Sequence, residues 1–159
     1  MPIELKYLDG ERGVVCVPTG FVTGDELFAA NAEIYSRDLA AKPYYYQLVD
    51  CDHIDGVSMS SLQVHKIAEQ DLQASKYLPH CVVGIYAKED LPFGIARMWQ
   101  AFVERADWDI RVFRLRSEAV AWVKERVLER FAVHVTLTES GDPESRPSEF
   151  KIESGFRER

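Results

Sequence analysis

Hydrophobic and polar positions change period twice within residues 92–123. Ile95, Met98, Trp99 and Phe102 fall at i, i+3, i+4 and i+7, the stripe of an amphipathic helix. Residues 108–115 (WDIRVFRL) break that period as a strand would, and residues 117–123 (SEAVAWV) resume it as a second helix. At the other end of the chain, Ile3, Leu5 and Tyr7 alternate with Glu4 and Lys6, the pattern of a half-exposed antiparallel strand. Asp9-Gly10, with Gly13 just beyond, supplies turn chemistry for a hairpin into residues 14–17 (VVCV). That second run is apolar on both faces and belongs in the centre of a sheet.

Thr23 with Glu26 three residues later forms a capping box, which predicts a helix running to about Ala41. Its inner positions are Leu27, Ala30 and Ile34, beside Phe28, Tyr35 and Leu39. Pro43 stops it, and residues 44–49 return as a strand. Ser60 and Gln63 form a second capping box, with Val64, Ile67, Ala68 and Leu72 on the inner face of the helix that follows. Pro79 ends that helix, residues 81–87 (CVVGIYA) read as a buried parallel strand, and Asp90 and Pro92 open the next helix. Strands alternating with helices of this length imply right-handed crossovers. The expected fold is an α/β domain over residues 1–130. It has a mostly parallel sheet of about five strands, an antiparallel first strand, and helices packed on the sheet. Phe131, Val133, Val135 and Leu137 alternate with polar or small residues, which predicts an extra edge strand at 131–137 or an arm pairing with a second subunit. Residues 138–159 are rich in Ser, Pro, Gly and charge, a composition that predicts a disordered tail.

A chain of 159 residues, 47% hydrophobic and 28% charged, fits one domain with one real core. The net charge of −7 argues against a nucleic-acid partner, which needs a basic stripe, and against charge-driven docking on anionic lipid. Insertion of an apolar patch into a membrane surface stays open. No apolar run approaches the roughly 20 residues of a membrane span. The first residues (MPIELKYLDG) lack a basic then apolar leader, so the expected compartment is the cytoplasm. Cys16, Cys51 and Cys81 are odd in number and sit in or beside apolar runs, as reduced core thiols do.

Several of these segments together resemble a known family. They are the Gly20-x-x-Thr23-Gly24 turn into a helix, the strand ending Leu48-Val49-Asp50, and a helix opening near Asp55-Gly56-Val57-Ser58. To these are added residues 94–99 (GIARMW), 112–114 (VFR) and 118–123 (EAVAWV). Over roughly residues 3–126 the order is similar to the SpoIIAA-like family, related to STAS domains and also similar to the CRAL-TRIO lipid-binding fold. The resemblance implies a small non-enzymatic, cytoplasmic module, forming a homodimer, that binds protein partners or membrane-associated ligands. Anti-sigma-factor antagonists carry a phosphorylatable Ser directly after an Asp at a helix start. Gly56 stands at that place here, with Ser58, Ser60 and Ser61 nearby.

Three clusters are candidates for function. Asp50-Cys51-Asp52-His53-Ile54-Asp55 lies at the C-terminal end of a central strand, where ligands bind in open α/β sheets. It suggests either a metal site or a Cys–His enzyme centre, but it lacks a calcium-loop pattern and a positioned third group. Turn and cap bonds by Asp50 and Asp55 account for it without chemistry. Gly20 and Thr23 open a helix without the lysine of a phosphate loop. Leu91 and Phe93 flank Pro92 at a helix start, and would form an apolar lip for a partner, lipid or bilayer if exposed. The expected working surface is therefore Gly20, Thr23, Asp50, Asp52, His53, Asp55, Ser58, Leu91 and Phe93, with no cofactor and no metal. The principal expectation is a protein-interaction module. The alternatives are a carrier of an apolar small molecule, with a cavity under the helix at 90–99, and an enzyme using the Asp50–Asp55 loop.

Overall fold

In the computed structural model, which describes residues 3–137, the first hairpin joins β1 (Ile3–Leu8) to β2 (Gly13–Pro18) in antiparallel register. Its turn carries Asp9, Gly10 and Glu11 at positive φ, a conformation that Asp and Gly adopt at small cost. Parallel strands follow at β4 (Tyr46–Asp50), β6 (Val82–Tyr86) and β7 (Asp109–Phe113), giving one five-stranded sheet in the order β1-β2-β4-β6-β7. The fold is the expected α/β architecture with an antiparallel first strand.

Strand alternation divides the core cleanly. Val15 and Val17, Tyr46 and Leu48, and Val82 and Tyr86 face α4 (Arg116–Phe131), whose Ala119, Val120, Val123 and Val127 are fully buried against them. Val14, Val83 and Ile85 face the opposite way, toward α1 (Gly24–Ile34), α2 (Ser61–Ser75) and α3 (Asp90–Phe102). Both predicted capping boxes form: Thr23 with Glu26 on α1, and Ser60 with Gln63 on α2. The middle helix of this layer, α2, packs chiefly on α1 and α3 rather than on the strands. It therefore bridges its neighbours above the sheet, and that arrangement leaves space beneath it.

Four expectations need correction. The first helix ends at Ile34 instead of near Ala41, because Ser36 turns its hydroxyl onto the Glu33 carbonyl at 2.7 Å and competes with the helix ladder. Leu39 is nonetheless buried in the core from the turn that follows. The stretches expected to be loops at 20–23 and 54–58 are short strands, β3 (Gly20–Thr23) and β5 (Ile54–Ser58), which pair in parallel as a separate two-stranded sheet. Gly56 is accordingly a strand residue paired with Phe21, and the helix opens only after Ser60. The place that corresponds to a phosphorylatable helix-start serine is therefore not at a helix start. Finally, residues 132–137 form no edge strand. Ala132, at φ 57°, ends α4 in the left-handed conformation. Val135 and Leu137 are then buried on the α4 face of the sheet while His134 and Thr136 stay exposed. One-sided packing, without a hydrogen-bonded ladder, produces that period of two. The tail expected at 138–159 lies outside the described residues.

Candidate functional site

The C-terminal end of β4 leads into the Asp50–Asp55 cluster, whose bonds tie neighbouring loops together. Asp50 accepts from the Asp52 N–H at 3.0 Å, and its second oxygen lies 3.2 Å from His53 Nε2. Asp52 accepts the Lys88 N–H at 2.9 Å, tying the loop after β4 to the loop after β6. The Gly20 N–H donates to the His53 carbonyl at 3.0 Å, joining the same end to β3. The segments that carry Gly20, Asp52 and Lys88 therefore meet at one end of the sheet. Asp50 is also bonded to the Tyr86 hydroxyl, which accepts from Arg116 Nη1 at 2.7 Å. Burial, and then the Asp50 charge, push that phenol well above its usual range.

Cys51 follows Asp50 by one residue and points to the other face of the sheet. Burial raises its thiol well above the ordinary range, which keeps it protonated. Thiol and imidazole are thus on opposite sides and do not form a nucleophile–base pair. Among the described residues, no group of three His, Cys, Asp or Glu is placed to hold a metal ion. No helix there is long and apolar enough to cross a membrane.

The cavity lies on the Cys51 side of the sheet. A space of about 130 Å³ opens between the sheet and the three helices. Its floor includes Val83 and Ile85, its roof Val64 and Ile67 on α2, and its wall Ile95 and Ala96 on α3. The β3–β5 sheet closes one end through Val22, Ile54 and Val57. The lining is predominantly apolar. Its polar groups gather at Asp71, Asn31 and Gln47.

Asp71 is only 3% exposed and joins all three helices of the layer. Its Oδ1 accepts from Asn31 Nδ2 at 3.0 Å and from the Tyr35 hydroxyl at 2.7 Å, both on or beside α1. Its Oδ2 accepts from Trp99 Nε1 on α3 at 2.7 Å. Gln47 Nε2 on β4 donates to the Tyr35 hydroxyl at 3.3 Å and extends the network to the sheet. Burial pushes the Asp71 carboxyl up to about 7, against the lowering by Tyr35 and Trp99.

This shift has a pH signature with a definite sign. Unfolded Asp71 loses its proton near the ordinary value of 3.8, whereas the native carboxyl holds it to about 7. Between those values the native state binds more protons, so Asp71's contribution to stability falls as pH rises. Urea unfolding at pH 5 and pH 8 is expected to show wild type losing stability relative to Asp71→Asn across the interval. A constant difference between the two proteins would contradict the raised carboxyl.

None of the nine residues singled out from the sequence lines this cavity, yet several of their neighbours do: Cys51, Ile54, Val57 and Pro92. Leu91 is 58% exposed, as the lip expectation required. Phe93 is half-buried beneath the Arg114 guanidinium, 3.9 Å from its ring centre, and Arg114 also bonds Asp90 and the Lys88 carbonyl. Thr23 serves as a cap, while Asp55 and Ser58 are exposed on β5. Sequence reading missed Asp71, although the signal was present. Asp71 occupies the i+4 position after Ile67 and i+7 after Val64, in the middle of an apolar stripe. A charged residue there must be paired, protonated or facing a site.

Comparison with protein-family models, with characterised proteins and with solved structures finds no match to this chain.

Proposed function

We propose that this chain is a binding module of the SpoIIAA-like kind whose cavity takes up a small apolar molecule. The observation that carries this reading is the space beneath α2, apolar over most of its lining and polar at one end. Ligand sites have this composition, in which apolar walls supply affinity and a few polar groups fix orientation. A defect in packing of this size would cost stability at roughly 24 cal/mol per Å³. Here the space is propped open by Asp71, whose bonds to α1 and α3 hold α2 above the sheet.

The test uses benzyl alcohol as probe. Wild type is expected to bind it saturably and to gain thermal stability in proportion to occupancy. Ala96→Leu adds three carbons into the cavity from α3 and is expected to weaken binding at least about tenfold. Its own unfolding midpoint should change little. Equal binding by both proteins would place the probe elsewhere and sink the proposal.

A second reading, docking of a protein partner, draws on exposed Phe21, Leu62 and Leu91, which follow the C-terminal ends of β2, β5 and β6. Native mass spectrometry of purified protein separates the two, because a small added mass on one chain differs from the mass of a second polypeptide.

A further inference from the structure

The polar end of the cavity narrows the chemistry of its occupant. Asp71 is a buried carboxyl, and among the described residues no Lys, Arg or His forms an ion pair with it. All three donors that reach it are neutral: an amide, a phenol and an indole. A carboxylate offers about four lone-pair positions, and three are taken, two on Oδ1 and one on Oδ2. The position left over belongs to Oδ2, on a side chain that lines the cavity. Beside it, Asn31 and Gln47 each give one of their two amide N–H groups, to Asp71 and to Tyr35 respectively. The cavity thiols, Cys16 and Cys51, are held protonated by burial. The polar end thus holds one unneutralised acidic group among neutral amides and thiols, and among the described residues no Lys, Arg or His lines the cavity to receive an anionic head.

Resting on the cavity reading, we propose that the ligand is a small hydrophobic amine, with its ammonium group donating to Asp71 Oδ2 and its carbon body packed between α2, α3 and the sheet. An ammonium would provide both the missing donor and the missing countercharge, in a place of low dielectric where such a pair is strong once formed. The space of about 130 Å³ fits a ring or short chain rather than a long acyl tail. A cavity of about 150 Å³ accommodates benzene, so the ligand has on the order of six to ten non-hydrogen atoms. Removing the charge from a ligand of the same shape would leave the acid uncompensated, and reversing it would set two negative groups together.

Calorimetric titration of the wild-type protein at pH 8 with benzylamine, benzyl alcohol and benzoate tests this, since the three share one ring and differ in head group. Benzylamine is expected to bind at least about tenfold tighter than benzyl alcohol, with benzoate weakest. In Asp71→Asn the ratio of amine to alcohol affinity is expected to fall to about one. The wild-type comparison decides the matter even if that variant folds poorly. Equal affinity for amine and alcohol overturns the amine proposal and leaves the cavity reading standing, as does a preference for benzoate. Binding by none of the three overturns both.

Discussion

Replacing Asp71 by Ala is expected to destabilise the protein by about 3–5 kcal/mol, because three buried neutral donors lose their acceptor at about 1–3 kcal/mol each. The substitution orphans three donors at once: Asn31 Nδ2, the Tyr35 hydroxyl and Trp99 Nε1. It also removes the bonds that tie α2 to Trp99 on α3 and to Asn31 and Tyr35 at α1, leaving Gln70 Nε2 on the Phe28 carbonyl as a remaining link to α1. Tyr35→Phe and Trp99→Phe each remove one donor and leave the carboxyl with two. Each is expected to cost only about 1–2 kcal/mol. Urea unfolding followed by circular dichroism gives all three values. If Asp71→Ala costs no more than either single-donor variant, the convergence on Asp71 is not what holds the helix layer together.

Gly13→Ala is expected to cost about 3 kcal/mol or more, above the usual range for one added methyl group. Gly13 opens β2 opposite Leu8 and beside Tyr46 of β4. A Cβ there would fall on Cζ, Cε1 and the hydroxyl of the Tyr46 ring. Tyr46 is fully buried and its hydroxyl donates to Asp9 Oδ2 at 2.5 Å. The ring cannot withdraw without breaking that bond and opening the core on the α4 face. The same Asp9 oxygen receives the Thr136 N–H at 3.4 Å, so the loss should spread to the segment after α4. Thermal unfolding provides the measurement, and a shift in midpoint of only a degree or two would show that the ring has room to move.

The elements that could be read from the sequence are those with a local cause. Thr23 with Glu26, and Ser60 with Gln63, locate helix starts because the capping bonds lie within three residues. The apolar runs at 14–17 and 81–87 mark central strands because both faces are covered. What escaped depends on distant partners. β3 and β5 are four and five residues long, carry Gly20 and Gly56, and are strands only because each pairs with the other. The alternation at 131–137 was visible, but alternation records one-sided burial, and a ladder needs a partner that the sequence does not name. The candidate site was missed by one residue at several points. The eye falls on polar Asp50, Asp52, Ser58 and the exposed Leu91, whereas the cavity is lined by Cys51, Ile54, Val57 and Pro92 beside them. Asp71 alone combined a chemical signal with the right face of its helix, and its value emerges only when Asn31, Tyr35 and Trp99 are brought to it from 28 to 40 residues away.

The proposed role of the space beneath α2 is to receive a ligand. Methyl-detected NMR of the wild-type protein, titrated with benzyl alcohol, tests it most directly. Saturable shifts are expected at the methyl groups of Val64, Ile67, Ile85 and Ile95, which line the cavity. Undisturbed signals are expected from Val120, Val123 and Val127, which are buried where α4 packs on the opposite face of the sheet. Absence of saturable shifts, or shifts confined to the α4 face, would contradict it.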